Sequence, residues 1–180
     1  MPASRYVEGL RACVGHGLLL LPGVAAIVRD GDGRILVQLR EGEGDWGLPG
    51  GAIDPGETPA EAIAREVHEE SGLDVRVERV VGVFGGWAYR ARYPNGDETE
   101  YVTIVFACAV TGGALRKQEG ESAALRWVRP DELPPMKQAW ERRVAEHPVG
   151  APPLFEGGAR GRGPESNPDR LRPDSGPTPD

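Results

Sequence analysis

One helix near the middle of the chain has both of its ends marked in the sequence, and it constrains the fold most strongly. Thr58 and Glu61 have the spacing of a capping box, and Pro59 stands at the first helical position. Gly72 occupies the place of a left-handed C-terminal cap, so the helix is predicted to end near Ser71. Its apolar side chains recur at helical spacing and predict one buried stripe, formed by Ala60, Ile63, Ala64 and Val67.

Three glutamates share one face of this helix, beside the apolar stripe. Glu66, Glu69 and Glu70 stand at positions i, i+3 and i+4. Like charges at this spacing repel by roughly 0.2–0.5 kcal/mol per pair, so a cation is expected to offset them. Mg²⁺ and Mn²⁺ suit this role because they take carboxylate and carbonyl oxygens and complete their shell with substrate phosphates. A solvated acidic helix face is the simpler alternative.

Turns rich in glycine and proline precede the helix. The stretches Leu48–Gly51 and Asp54–Glu57 let backbone carbonyls approach an ion closely. Arg65 can reach Glu69 one turn along the helix or fold back toward Glu57, but one arginine does not neutralise four carboxylates. This context favours a metal site over a bare acidic surface.

The same stretch resembles the signature of the Nudix hydrolases: Gly, five residues, Glu, seven residues, then Arg-Glu-aliphatic-any-Glu-Glu-any-Gly-aliphatic. Every defined position is filled, by Gly51, Glu57, Arg65, Glu66, Val67, Glu69, Glu70, Gly72 and Leu73. The resemblance implies an α/β fold of the Nudix type, an α/β/α sandwich around a mixed β-sheet. It also implies hydrolysis of a phosphoric anhydride with Mg²⁺ or Mn²⁺ as the cofactor.

The resemblance assigns metal ligands to individual residues of this chain. Glu66, Glu69 and Glu70 would bind the metal together with the backbone carbonyl of Gly50. Glu66 or Glu69 would orient or deprotonate the attacking water. Clustered carboxylates holding divalent ions polarise phosphoryl oxygens and acidify water, so no protein nucleophile is required.

Three further acidic positions and one arginine complete the predicted catalytic machinery. By resemblance, Glu57 would assist at the metal and Arg65 would hold it in place. The family often adds an acid from outside the signature, for which Glu119 and Glu121 are the candidates, with Glu121 assigned to the metal. A solvated loop is the alternative at both positions.

The signature leaves the substrate open. Nudix enzymes act on nucleoside diphosphates linked to another group, including ADP-ribose, nucleoside triphosphates, dinucleoside polyphosphates and sugar nucleotides. Tyr89 stands near the position where ADP-ribose-cleaving members often carry proline, which favours dinucleoside polyphosphates. Arg40, Trp46, Tyr89 and Tyr101 are predicted to contact the substrate, although each aromatic ring suits a core position equally well.

A second class of function is a Nudix-fold nucleotide sensor or partner-binding module without turnover. Such proteins generally lose acids of the signature, and this chain keeps all of them. The chain also lacks a G-x-S-x-G elbow and a G-x-x-x-x-G-K-[ST] loop, which disfavours a serine hydrolase and a P-loop nucleotide triphosphatase.

Composition describes an ordinary globular chain of 180 residues with a formal net charge of −7. The acidic balance disfavours polymeric nucleic acid as a partner, whereas a small-molecule nucleotide remains compatible because bound cations invert the local charge. Cys13 and Cys108 have no metal-site spacing and are expected to be reduced core thiols. No apolar run is long enough to span a membrane, so a cytoplasmic protein without membrane contact is predicted.

Strand and helix patterns surround the acidic helix. Residues 4–14 predict an amphipathic helix that packs or forms a dimer contact, which leaves a homodimer open. Asp30–Gly33 predicts a hairpin turn between strands at residues 24–28 and 35–39. Further strands are predicted at 75–84, 101–110 and 123–128, and a C-terminal helix at 137–146. We therefore predict a lead-in over 1–22, a Nudix domain over 23–148 and a disordered tail over 149–180, because the tail has almost no large apolar residue.

Overall fold

The computed structural model describes residues 5–41, 44–117 and 122–155. Its helices are α1 (Arg5–Val14), α2 (Pro59–Ser71) and α3 (Ala139–Ala145). Its strands are β1 (Leu19–Arg29), β2 (Ile35–Arg40), β3 (Trp46–Gly47), β4 (Gly50–Ala52), β5 (Leu73–Phe84), β6 (Arg90–Arg92), β7 (Glu98–Gly113), β8 (Ser122–Val128) and β9 (Leu154–Phe155). Short 3₁₀ turns lie at Trp87–Tyr89 and Pro130–Glu132.

The strands form one mixed sheet in the order β3-β2-β1-β7-β5-β9. Strand β4 also pairs with β1, β6 with β7, and β8 with β2. The pairs β1–β7 and β5–β9 are parallel and the other pairs are antiparallel. The long parallel register of β1 against β7, from Leu19↔Thr99 to Arg29↔Ala109, forms the centre of the sheet.

Side chains of β1 alternate between two apolar cores, as the period of a strand requires. Val24 and its even-numbered neighbours face α2, where they pack with Ile63 and Val67. Ile27 and the odd-numbered side chains face the opposite layer, which contains Val144 of α3. The predicted α/β/α sandwich around a mixed sheet is confirmed.

Several strands are longer than the local patterns indicate. The predicted strand at 75–84, with its break at Gly82, is part of the continuous β5, whose pairing with β7 shifts register three times. Strand β7 extends to residues 98–113 because β1 and β5 pair with it on both sides. Strand β1 begins at Leu19, five residues before the predicted start of the hairpin.

The N-terminal helix forms as expected, but none of its residues is buried. Polar contacts attach it to the sheet: Nη2 of Arg11 donates to the Glu98 carbonyl at 2.8 Å and to Oγ1 of Thr99 at 3.0 Å. Cys108 is buried, which raises its pKa to about 12, whereas Cys13 lies exposed on α1 and is not the core thiol that the sequence predicted.

Order continues past the predicted start of the tail at residue 149. Leu154 and Phe155 pair with Gly82 and Val83 of β5, so backbone hydrogen bonds reach at least this far along the chain. Residues 156–180 of the predicted tail lie outside the described residues. Within the described ranges, no helix is long and apolar enough to cross a membrane.

Candidate active site

Helix α2 begins and ends where its capping residues predict. Thr58 has extended backbone angles and accepts from the Glu61 amide, while Glu61 accepts from the Thr58 amide at 2.9 Å. Gly72 has a positive φ of 70° and donates to the carbonyl of His68 at 2.8 Å. These caps fix the rotation of the helix and turn Glu66 and Glu70 toward the sheet.

Strand β4 carries two glycines against these glutamates. Gly50 has a φ of 154°, and a Cβ there would collide with the carbonyl of Val24. Gly51 faces the Glu66 carboxylate so closely that a Cβ would overlap it. The backbone of β1 therefore excludes a side chain at Gly50, whereas a side chain at Gly51 would displace the Glu66 carboxylate.

Glu70 is fully buried at the end of α2. Its Oε2 accepts from the amide of Gly50 at 2.9 Å, while its Oε1 has no hydrogen bond. Nη2 of Arg40 lies 2.9 Å from Oε1, so the charge is paired although the hydrogen-bond geometry is poor. Burial raises the pKa of Glu70 to about 7, against the opposing effect of Arg40.

Arg65 is the centre of the second cluster of charges. Its Nε and Nη2 donate to the two carboxylate oxygens of Glu57 at 2.6 and 2.9 Å. Its Nη1 donates to Glu66 and Glu69, each at 2.9 Å, and Nη2 also reaches the Ala52 carbonyl at 3.2 Å. The hydrogen bonds from Arg65 lower the pKa of Glu57, whereas burial raises that of Glu66 despite the arginine.

The Arg40 side chain extends from the end of β2 to the same glycine strand. Its Nη2 donates to the Gly50 carbonyl at 2.6 Å in addition to its contact with Glu70. Arg40 therefore lies in the predicted site and contacts two of the predicted metal ligands.

The residues present fit a divalent cation. The Gly50 carbonyl and the carboxylates are hard oxygen donors, and Oε1 of Glu70 is a buried oxygen without a hydrogen bond. In the described parts of the chain, however, no three His, Cys, Asp or Glu side chains converge on one point. The carboxylates of Glu57, Glu66 and Glu69 turn toward Arg65 instead. Glu119 and Glu121 lie outside the described residues.

The three predicted aromatic contacts lie in different surroundings. Tyr89 packs on Phe84 and Trp140, with ring centroids 6.1 and 6.4 Å away, so its ring contributes to the core. Trp46 is partly buried, and the Arg126 guanidinium lies 4.8 Å from the centre of its ring. Tyr101 is half-buried, and its hydroxyl lies 3.0 Å from that of Tyr93.

The Tyr101 ring lies beside strand β4. A Cβ added to Gly23 would meet both the Gly51 carbonyl, at 3.4 Å, and the Tyr101 ring, at 3.5 Å. His16 contacts Asp97 through Nδ1 at 2.7 Å.

Two buried polar residues support the site, and the sequence patterns predicted a role for neither of them. Glu141 on α3 accepts from the Leu48 amide at 3.0 Å and from the Gln138 amide at 2.9 Å. Gln38 donates to Ser122 at 2.8 Å, and Ser122 donates to the carbonyl of Glu70 at 3.3 Å. The sequence did contain a signal for Gln38, which stands within the apolar run ILVQL of β2. An unpaired buried amide is costly, so a glutamine in such a run indicates a hydrogen-bond partner in the core.

A family model described as the NUDIX domain matches residues 19–147. The chain is 35% identical over 131 residues to a "MutT-like protein" of Streptomyces ambofaciens, covering 72% of this chain and 78% of that protein. The chain belongs to the Nudix family. An ADP-ribose pyrophosphatase of Methanocaldococcus jannaschii is 37% identical over 118 residues, covering 63% of this chain and 66% of its own.

A solved Nudix structure also matches the fold of this chain. The crystal structure of a MutT NUDIX hydrolase from Burkholderia pseudomallei superposes with a TM-score of 0.57 at 30% identity, covering 71% of this chain and 97% of that one. The chain is thus a Nudix pyrophosphohydrolase in its reaction class, as the signature predicted.

Proposed function

We propose that this Nudix enzyme uses a divalent cation to hydrolyse the phosphoric anhydride of a nucleoside diphosphate linked to another group. The buried carboxylate of Glu70 carries this proposal: Gly50 holds one of its oxygens and the other has no hydrogen bond. That oxygen lies 2.9 Å from the Arg40 guanidinium, and a buried carboxylate is costly unless a cation lies beside it, so the position suits a divalent ion in place of the guanidinium. Gly50, Glu66, Glu69 and Glu70 are the proposed ligands of Mg²⁺ or Mn²⁺, with Glu121 as a further candidate.

The residues around this site have separate tasks in the proposed reaction. When bound, the divalent cation supplies positive charge to the phosphoryl oxygens and acidifies water. Glu66 or Glu69 orients the attacking water and accepts its proton; burial raises the pKa of Glu66, whereas the hydrogen bonds from Arg65 lower that of the partly exposed Glu57. Arg65 holds Glu57 by two hydrogen bonds and keeps the carboxylates of α2 in position.

Arg40 and Tyr101 are the substrate contacts that the geometry supports best. Arg40 carries a guanidinium at the edge of the site, where planar bidentate donors suit phosphate oxygens. Tyr101 lies beside strand β4, which carries Gly50 and Gly51, and Trp46 lies on β3, the strand that precedes β4 in the chain. Tyr89 has weaker support because it packs in the core, and with it the preference for dinucleoside polyphosphates loses its basis.

A substrate panel tests the reaction. The full chain is incubated with Mg²⁺ or Mn²⁺ and with ADP-ribose, nucleoside triphosphates including oxidised ones, dinucleoside polyphosphates and sugar nucleotides. We expect turnover of at least one nucleotide and its loss when a chelator is added. The identity of the released phosphate or monophosphate then shows which bond breaks.

Matched variants connect the activity to the proposed ligands. Glu66→Gln is expected to lose most of the activity with little loss of fold, while Glu78→Gln, an exposed acid paired with Arg76, keeps it. Chelator-insensitive turnover, or full activity in Glu66→Gln, would refute the metal-site assignment. Nucleotide binding without any turnover would favour the sensor function instead.

A further inference from the structure

Arg40 occupies an unusual position, because its guanidinium contacts two atoms that the proposed function assigns to the metal. Nη2 of Arg40 lies 2.6 Å from the Gly50 carbonyl and 2.9 Å from Oε1 of Glu70. One nitrogen thus lies between the two oxygens, as a cation that bridges them would.

The pairing with Glu70 is electrostatic rather than a well-aligned hydrogen bond. Oε1 of Glu70 lies within ion-pair distance of Arg40 and yet has no hydrogen-bond partner, although it is fully buried. The Arg40 side chain is 28% exposed, so it reaches the buried acid from the solvent side. An ion pair of this kind supplies the charge that Glu70 needs without filling the hydrogen-bonding capacity of its oxygen.

Arg65, the other arginine of the site, differs in its contacts. It donates two hydrogen bonds to Glu57 and a third to the Ala52 carbonyl, in addition to its bonds with Glu66 and Glu69. Arg40 stands at the end of β2, where the pairing with β8 shifts register between Leu39 and Arg40. Such irregularities redirect a side chain at a strand end. Arg65 is therefore anchored by several hydrogen bonds, whereas among the described residues the Arg40 guanidinium contacts the Gly50 carbonyl and Glu70.

We propose that Arg40 is an internal counter-ion that occupies the metal position in the metal-free enzyme and leaves it when a divalent cation binds. The released guanidinium then no longer contacts Glu70 and can bind a phosphate of the substrate. Metal loading and phosphate capture are thereby coupled through one side chain. This inference rests on the proposed function, since it takes the Gly50 carbonyl and Glu70 as metal ligands.

Competition for the same oxygens has a measurable thermodynamic consequence. If Arg40 must leave before the metal enters, removing Arg40 tightens metal binding and destabilises the metal-free protein. The effect on stability shrinks as metal is added, because the cation then takes over the role of the guanidinium.

Binding of Mn²⁺ without any nucleotide tests the competition. The free ion is measured by electron paramagnetic resonance in mildly alkaline buffer for the wild type, Arg40→Met, Glu70→Gln and a surface control, Arg76→Met. We expect Arg40→Met to lower the Kd for Mn²⁺ by about tenfold, which corresponds to a modest coupling between sites. Arg76→Met should match the wild type. Equal or weaker Mn²⁺ binding by folded Arg40→Met overturns the proposal.

A second measurement uses the wild type and needs no variant to fold. Nitrogen-15 spectra of the arginine side chains are recorded before and after Mg²⁺ is added to the metal-free enzyme. The Arg40 resonances, assigned by through-bond correlation to the Arg40 backbone, should shift on saturation, while those of Arg65 shift less. Unchanged Arg40 resonances at full Mg²⁺ occupancy would overturn the displacement. So would an affinity gain in Arg40→Met that high salt abolishes, because remote charge repulsion is screened by salt.

The same set of variants separates this inference from the proposed function. If Glu70→Gln weakens Mn²⁺ binding and Arg40→Met leaves it unchanged, the metal site stands and the role of Arg40 as counter-ion is wrong. If Glu70→Gln also leaves Mn²⁺ binding unchanged, the ligand assignment itself fails.

Discussion

Two buried glutamates, one on each helix layer, hold the same loop from opposite faces of the sheet. Glu70 of α2 accepts from the Gly50 amide at 2.9 Å, and Glu141 of α3 accepts from the Leu48 amide at 3.0 Å. Burial raises the pKa of each to about 7. Both oxygens of Glu141 accept backbone hydrogen bonds, whereas Glu70 keeps one oxygen without any.

Under the proposed function, this difference separates a structural acid from a metal ligand. Burial and a raised pKa are common to both glutamates, so neither property identifies a catalytic residue. The Glu70 oxygen without a hydrogen bond distinguishes the two acids, because it is the atom that the proposed cation would bind. We therefore expect Glu141 to act on the site through the position of Leu48 and Glu70 to act on it directly.

Replacing each glutamate by glutamine should give the largest difference in activity between the two positions. We expect Glu70→Gln to lower kcat by about a hundredfold or more, since changes at residues that only hold metal ligands cost roughly 10–100-fold and Glu70 is itself a proposed ligand. Glu141→Gln should stay within about tenfold of the wild type, because Glu141 binds the amide of Leu48 rather than a proposed ligand. Steady-state kinetics on the best substrate at saturating Mg²⁺ measures both. Similar losses in the two variants would contradict the division of roles.

Two glycines, one beside a proposed metal ligand and one beside Glu141, allow a similar comparison through packing. A Cβ at Gly51 would overlap the Glu66 carboxylate, whereas a Cβ at Gly47 would lie 3.1 Å from Oε1 of Glu141. Gly51→Ala should lower kcat by about tenfold to a hundredfold, because small misplacements of catalytic groups are costly. Gly47→Ala should leave kcat near the wild-type value and cost about 1 kcal/mol of stability. Equal kcat values for the two variants would show that Glu66 does not need its present position.

The stability of the two amide variants sharpens the contrast. Glu141→Gln places an amide donor against one of two backbone N–H groups, so we expect a loss of about 1–3 kcal/mol in the free energy of unfolding. Glu70→Gln keeps an acceptor for Gly50, but it removes the charge that pairs with Arg40 and places an amide beside that guanidinium, so the loss in metal-free protein should be larger. Denaturant titration with chelator present measures both. A smaller loss in Glu70→Gln would contradict this order.

The pH dependence of stability should show both acids at once. Between the ordinary pKa near 4.5 and the raised value of about 7, the folded state binds more protons than the unfolded state. The free energy of unfolding of the metal-free enzyme should therefore fall as the pH rises through this window. Each acid contributes about 3 kcal/mol at most, because its pKa differs between the two states by about 2.5 units and each unit corresponds to about 1.4 kcal/mol. Each amide variant should flatten the slope, and an unchanged slope in both would disprove the assignment.

Local signals in the sequence were sufficient to predict the bounds of α2 and the face on which its glutamates lie. The capping box at Thr58 and the cap at Gly72 determine the ends of the helix from neighbouring residues, and the helical period then places Glu66 and Glu70 on one face. The hairpin of β1 and β2 was predicted for the same reason, since its turn residues are local.

Contacts between distant parts of the chain were beyond the reach of these patterns. Glu141 meets Leu48 across 93 residues, and the pairing of β7 with both β1 and β5 sets strand lengths that no local period shows. The pairing of Arg40 with Glu70 likewise depends on how β2 ends beside α2. For Tyr89 the sequence left a core position and a substrate contact equally open, because an aromatic residue suits both, and the structure packs its ring near Phe84.

A crystal structure of the enzyme grown with Mn²⁺ tests the central claim most directly, because anomalous scattering locates the ion without reference to activity. We predict a peak roughly 2.0–2.2 Å from the Gly50 carbonyl and from Oε1 of Glu70, distances typical of small hard divalent ions. The guanidinium of Arg40 should have moved away from both oxygens. A fully occupied Mn²⁺ that contacts neither Gly50 nor Glu70 would contradict the account.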